Sequence, residues 1–427
     1  MRVLLLSPLF PPQGSGAEIS TMLECRDLVK HGLDVVLVTN NRFSIAIDEE
    51  WFRKVRVYQV PMPFISFIYP SSKIFGEFNY WFFQKSTWKY IYNIAIKERV
   101  DLIHIQHAYI GFKKEKRLPI VLTIRDYWPI CPYRTLFSGK EGCCAFRSFI
   151  AGFPCRRKAY LDYGLTKIPH LIYNMCFTPL LNHLSRKLRS TVYVAFQEVD
   201  QFIAISSFVK NVICKNLKIL PEKVNIIYPP ITDFSYVPRE NSPLKMTFTY
   251  IGGLEAHKGV GNLLKAFHIA VNRNKKIELL LCGVGAMEKW IEEYIHSTNL
   301  ERYVKLIGRV DPAKFYDIYQ RTDVVVVPSL WPEPFGRVVV EALCAGRPVI
   351  VNPIGGLREQ IIDGFNGFYV NCYDIHELAR AILHISEIPR QKLLQMGLRA
   401  RKDVLERFSP EKRIRKLLRA YELVISP

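Results

Sequence analysis

From Met246 onward, short apolar runs rich in β-branched residues alternate with amphipathic stretches at nearly regular spacing. Strands read at 246–251, 277–282, 304–307, 323–327, 348–351 and 367–370, and helices at 260–272, 286–296, 312–321 and 375–386. Runs this short and this uniformly apolar suit strands covered on both faces. Strands separated by helices pair in parallel, which predicts a doubly wound α/β sheet. The first half repeats the pattern more loosely, with strands near 2–6, 34–39, 55–60, 101–105, 119–124, 201–205 and 224–227. With 427 residues and two such sets, the chain reads as two Rossmann-like lobes with a ligand cleft at the strand carboxyl ends. The boundary falls at Tyr228-Pro-Pro-Ile-Thr-Asp233, ahead of a polar linker from Val237 to Leu244. The expected domains are therefore 1–229 and 230–407, with a last helix within 408–427.

Between the strands at 323–327 and 348–351 lies Pro328-Ser-Leu-Trp-Pro-Glu-Pro-Phe-Gly-Arg-Val-Val-Val-Glu-Ala-Leu-Cys-Ala-Gly346. A helix is expected to start near Gly336 and stop at Gly346. Glu333 then sits in the loop before it, and Glu341 about two turns on. The helix start offers unbonded N–H groups and a positive dipole end, suited to an anion such as a diphosphate. Carboxylates beside an anion-accepting helix end suit a sugar nucleotide, with the acids taking hydroxyls and the helix taking phosphate.

Three other loops carry chemistry. Gly252-Gly253-Leu-Glu-Ala-His-Lys258-Gly259 joins a strand to a helix, and a lysine there can reach a phosphate. Near the start, Gly14-Ser-Gly16 follows the first strand, but Ile19 stands where a dinucleotide fingerprint needs its third glycine. Thr123-Ile-Arg125-Asp126-Tyr127-Trp128-Pro-Ile-Cys131-Pro132 ends another strand. Arg125 stays protonated and cannot serve as a base; it can hold a phosphate or a carboxylate.

The Pro328–Ile350 string resembles the Glu-x7-Glu motif of retaining glycosyltransferases with the GT-B fold, the family numbered 4 and also described as glycosyl transferases group 1. The resemblance covers nearly the whole chain and is most specific over 245–370. It implies two Rossmann-like domains facing a central cleft, with the last helix crossing back onto the N-terminal, acceptor-side domain. It implies that Glu333 holds donor sugar hydroxyls and Glu341 the nucleotide ribose, while amides near Phe335 and Gly336 face sugar and phosphate. Lys258 would neutralise the diphosphate. Gly253 stands where the family commonly has Arg, which leaves Arg337 or Arg309 to assist. Gly283, in Gly283-Val-Gly285, and the N-terminal Gly14 and Gly16 would line the donor phosphates. Arg125 replaces the family's usual His, while Asp126 beside it fits the pattern.

The resemblance further implies transfer of a sugar from a nucleotide diphosphate sugar to a hydroxyl acceptor, in polysaccharide or glycolipid assembly. No Asp-x-Asp occurs in the chain, so no cofactor or metal is expected and cations with helix ends take that place. The alternative readings are a sugar-nucleotide epimerase or phosphorylase of the same architecture, or a non-enzymatic membrane or nucleic-acid binder. The last gives no reason for the Glu-x7-Glu string.

Lys and Arg total 59 against 39 Asp and Glu, which favours anionic partners without choosing among them. Residues 64–92 hold twelve aromatics, and residues 156–189 carry seven Lys or Arg against one acid. That mixture suits helices with a solvated basic face, the surface of an anionic membrane with a lipid-linked or acidic acceptor, or single-stranded nucleic acid. No apolar run reaches the ~18 residues of a spanning helix, and the opening Met-Arg-Val-Leu-Leu-Leu-Ser-Pro reads as a strand rather than a leader. The expected location is the cytosol, at or near the inner face of the cell membrane. Cys131, Cys143, Cys144 and Cys155 lack the spacing of a zinc site and read as a structural loop.

Overall fold

The structure is a computed structural model that describes residues 1–7, 9–11, 16–40, 45, 47–60, 85–106, 118–127, 130, 196–231, 236, 245–310 and 314–425. The described chain divides into two units. One runs from Met1 to Pro230 and takes back Glu411 onward; the other runs from Ile231 to Pro410.

The first unit holds a seven-stranded sheet in the order β3-β2-β1-β4-β5-β6-β7. Its strands are β1 (Arg2–Leu6), β2 (Asp34–Asn40), β3 (Arg56–Val60), β4 (Leu102–Gln106), β5 (Ile120–Ile124), β6 (Gln201–Ala204) and β7 (Val224–Ile226). Every pairing is parallel. The central β4 and β5 are buried at every position, as covering on both faces requires. The strand order reverses between β1 and β4, the place where such a sheet opens a crevice. Helices α1 (Gly16–Lys30), α2 (Lys85–Lys97) and α3 (Ser207–Leu217) join these strands. Ser206 starts α3 by accepting the Val209 N–H at 3.1 Å.

The second unit holds a six-stranded parallel sheet in the order β10-β9-β8-β11-β12-β13. The strands are β8 (Met246–Ile251), β9 (Ile277–Cys282), β10 (Val304–Gly308), β11 (Val324–Val327), β12 (Val349–Val351) and β13 (Gly367–Tyr369). Its helices are α4 (Val260–Arg273), α5 (Glu288–Ser297), α6 (Phe315–Arg321), α7 (Arg337–Cys344), α8 (Ile375–Glu387) and α9 (Arg390–Arg407). Leu263, Leu264 and Phe267 of α4 pack with Phe248, Leu279 and Leu281 of the sheet and with Leu378 and Ile382 of α8. The reversal here lies between β8 and β11, so their carboxyl ends flank the crevice.

The last helix, α10 (Pro410–Ile425), joins the first unit through two kinds of contact. Ile414, Leu417, Ala420 and Tyr421 enter the apolar core of Val3, Leu5, Leu28, Val35 and Leu37. Arg413, 5% exposed, pairs with Asp27 at 3.2 Å and with Glu24, both on α1. Tyr421 meets His104 of β4, whose Nδ1 lies 2.6 Å from the phenol oxygen and whose Nε2 lies 2.7 Å from Thr123 Oγ1. The sequence shows α10 as a helix but carries no local sign of these partners.

Candidate active site

Loops at the carboxyl ends of β8, β9, β11 and β12 converge in the second unit. Two backbone approaches lock the first of them to the third. A Cβ on Gly259, at φ +76°, would lie 2.0 Å from the Pro328 carbonyl oxygen, and the Leu330 N–H donates to the His257 carbonyl at 2.9 Å. Only glycine fits such an approach. Lys258 is thereby carried to the loop that holds Glu333.

The Lys258 ammonium donates to Glu333 Oε1 at 2.7 Å and lies 4.9 Å from the centre of the Trp331 ring. Glu333 is 7% exposed. Its Oε1 also accepts the Ser329 hydroxyl at 2.7 Å and the Trp331 indole N–H at 3.0 Å. A buried carboxylate tolerates its site when charge and hydrogen bonds converge on it in this way. The Glu333 carbonyl accepts the Gly356 N–H at 2.7 Å, so the loop after β12 supports the backbone as well. Burial pushes the nearby Tyr250 phenol well above its ordinary value, and the charges of Glu333 and Glu255 add to this. Its hydroxyl donates to the Gly253 carbonyl at 2.6 Å.

Helix α7 begins one residue after Gly336, whose φ of +82° turns the chain into the helix. Glu341 is the fifth helical residue and stands just over one turn from the start of α7. Its Oε1 accepts Arg337 Nη2 at 2.8 Å, an i,i+4 pair with both side chains largely buried. Arg337 is therefore placed on Glu341. Phe335 is buried at 5.8 Å from the Phe408 ring, and its carbonyl accepts the buried amide of Gln360. Gln360, like Ser329 and Trp331, is absent from the sequence-based site. Ser329 and Trp331 do lie within the recognised string, where their distance from Glu333 gives the only hint.

The glycines sort by space. A Cβ on Gly283 would lie 1.8 Å from the Gly252 carbonyl oxygen, so glycine is required where the β9 loop crosses the β8 loop. A Cβ on Gly253 would meet nothing nearer than Glu255 Cγ at 3.7 Å. The first carbon of a side chain at this position therefore meets only ordinary van der Waals contact.

Residues 238–403 match the family model for glycosyl transferases group 1, and residues 14–233 match that for Glycosyltransferase Family 4. This chain belongs to glycosyltransferase family 4. A relative described as an uncharacterized glycosyltransferase, MJ1607 of Methanocaldococcus jannaschii, is 26% identical over 56% of this chain and 64% of its own length. The glycogen synthase of Mycobacterium tuberculosis is 31% identical over 33% of this chain and 34% of its own. Among solved structures, Anabaena Alr3699/HepE in complex with UDP and glucose superposes with a TM-score of 0.63 at 18% identity, over 98% of both chains. Sucrose-phosphate synthase from Thermosynechococcus elongatus gives 0.69 at 18% identity, over 100% of this chain and 99% of that one. These likenesses establish the GT-B fold, with its two parallel-sheet α/β domains.

In this glycosyltransferase the first unit treats the expected residues differently. Arg125 directly follows β5 and is only 6% exposed, donating to Gln106 Oε1 and lying 3.8 Å from Glu24 Oε2. The sequence suggests that Arg125 holds a phosphate or a substrate carboxylate; in the structure its charge faces Glu24. Burial pushes the Glu24 carboxyl up, but Arg413, His104, Arg125 and the Gln106 amide outweigh this and hold it below its ordinary value. Burial, with Arg125 and Arg413 adding, pushes His104 down to about 4. Asp126 follows Arg125 half-buried, and Gly16 opens α1. Arg309 is exposed directly after Gly308, whose carbonyl accepts the Gly283 N–H at 2.8 Å.

Gly14 lies outside the described residues. So do the four clustered cysteines, the basic stretch 156–189 and most of the aromatic stretch 64–92. Within the described part of the latter, Trp88 and Tyr92 are buried and Tyr90 is exposed. Among the described residues, no helix is long and apolar enough to cross a membrane.

Proposed function

We propose that this protein is a retaining glycosyltransferase that moves a sugar from a nucleotide diphosphate sugar to a hydroxyl acceptor, with the donor held by the second unit. The observation that carries the reading is the joining of Lys258 and Glu333 at 2.7 Å, with Gly336 three residues beyond Glu333 and the start of α7 four. An anion brought there meets the lysine and the first amides of α7 together. The solved relatives bound to UDP and to UDP-glucose support a uridine diphosphate sugar as the first donor to try.

In this reading Lys258 turns from Glu333 to the diphosphate when the donor arrives. Its charge, with that of the helix end, stabilises the phosphate as the glycosidic bond breaks. Glu333 holds sugar hydroxyls and Glu341 accepts from the ribose. The leaving phosphate takes the proton of the acceptor hydroxyl on the same face, so configuration is retained without a second carboxylate nucleophile. A solved neighbour described as WaaG, involved in lipopolysaccharide biosynthesis, supports an acceptor in polysaccharide or glycolipid assembly. The basic and aromatic stretches of the sequence favour one presented at an anionic membrane surface.

The test is a panel of nucleotide sugars, followed by mass detection of released nucleoside diphosphate with chelator present. One donor is expected to be consumed, at a rate raised by acceptor. Isomerised nucleotide sugar, or sugar phosphate formed only with inorganic phosphate, would replace this reading with the epimerase or phosphorylase. Glu341→Gln is expected to weaken nucleoside diphosphate binding by ~1–3 kcal/mol with the fold intact. Titration calorimetry giving the wild-type affinity would remove the ribose role.

A further inference from the structure

Glu333 is held by more than its lysine, and the other two holders lie within four residues of it. Oε1 takes the Ser329 hydroxyl at 2.7 Å and the Trp331 N–H at 3.0 Å, besides Lys258 at 2.7 Å. The three donors share one oxygen, so among the described residues Oε2 is the oxygen left for a ligand. Ser329 is 1% exposed and Trp331 8%, so water does not readily replace either bond. Trp331 is itself fixed, with its ring meeting that of His257 edge-on at 5.5 Å. Its face lies 4.9 Å from the Lys258 ammonium. One indole therefore touches both members of the ion pair, the acid through its N–H and the lysine through its ring.

We infer that Trp331 and Ser329 are positioning residues that keep Glu333 oriented toward the donor sugar once Lys258 has moved to the diphosphate. The inference rests on the donor-site reading of Glu333 and Lys258. Its physical ground is the fate of Oε1. When the lysine leaves, a buried carboxylate oxygen loses its charged partner. Two short-range neutral donors remain and hold its direction. Without them the carboxylate is free to rotate after Lys258, and the sugar loses its preset acceptor. Orientation of this kind acts on the reacting complex more than on nucleotide binding.

The experiment compares Trp331→Phe, Ser329→Ala and Glu333→Gln in the full chain. Phenylalanine keeps a ring face for Lys258 and removes only the N–H. Trp331→Phe and Ser329→Ala are each expected to lower kcat for sugar transfer about tenfold. Affinity for the nucleoside diphosphate, which lacks the sugar, should stay within about twofold of wild type, and that binding also reports a folded site. The double variant should lose less than the product of the single losses, because both act on one oxygen. Wild-type kcat in both single variants, beside an inactive Glu333→Gln, overturns the positioning role and leaves the donor-site reading standing. Full activity in Glu333→Gln instead removes the donor-site reading itself. Loss of diphosphate binding in Trp331→Phe in parallel with kcat overturns the inference too, since it assigns the indole to the phosphate half of the site.

Discussion

Lys258→Ala is expected to slow sugar transfer by about 10²- to 10³-fold, the range seen when one preorganised charge-stabilising group is removed from an active site. Ground-state donor affinity should fall by much less. In the free protein Lys258 rests on Glu333 and the Trp331 ring, so donor binding exchanges one partner for another. In the transition state the departing diphosphate carries its greatest charge, and the lysine has nothing else to neutralise. Steady-state kinetics with chelator present, together with binding of the unreacted donor, separates the two effects. Full activity without Lys258 would pass its task to another cation. Arg309 is the exposed candidate, since Arg337 is already engaged by Glu341.

The second large effect concerns the first unit. Arg413→Ala is expected to destabilise it by about 3 kcal/mol, the lower end of the cost of removing one side of a buried ion pair, because Arg125 and Gln106 still face Glu24. Glu24 is 4% exposed and Asp27 8%, and both lose their partner on α10. Hydrogen exchange in the peptide covering α10 should rise steeply, while exchange in β8 and β9 should not. Unchanged protection of α10 would show that its apolar face alone suffices.

Acid acts on the same cluster. The folded state holds His104 at about 4 against an ordinary 6.5, so the unfolded chain takes up this proton first. Stability is complete above about 6.5 and declines as pH falls toward about 4. Glu24, lowered in the folded state, adds a further loss below its ordinary 4.5. Asp27, raised chiefly by burial, works in the opposite direction. In His104→Gln the decline between pH 6.5 and 4 should flatten, as measured by denaturant unfolding at successive pH values.

Much of this protein is legible along the chain because the signals are local. Strands such as Met246–Ile251 and Ile277–Cys282 and the helix Pro410–Ile425 announce themselves by apolar period and length. The short string from Pro328 to Glu341 places a carboxylate before a helix and another within it, and the Gly259 turn places Lys258. Of the helix expected at 312–321, Phe315–Arg321 is helical and residues 312–313 lie outside the described residues.

What the tertiary structure alone decided is which charges are spent on each other. A sequence shows that Arg125, Arg337 and Lys258 are cations, but not that Arg125 faces Glu24, Arg337 faces Glu341 and Lys258 faces Glu333. The bond between His104 and Tyr421 spans 317 positions, and that between Arg413 and Glu24 spans 389. No local period or spacing encodes such pairs, because they exist only after the sheet has ordered its strands and α10 has docked. The chain by itself determined two parallel α/β domains and the motifs that match its family. The folded arrangement determined which polar groups are engaged with one another, since burial penalises every charge left without a partner.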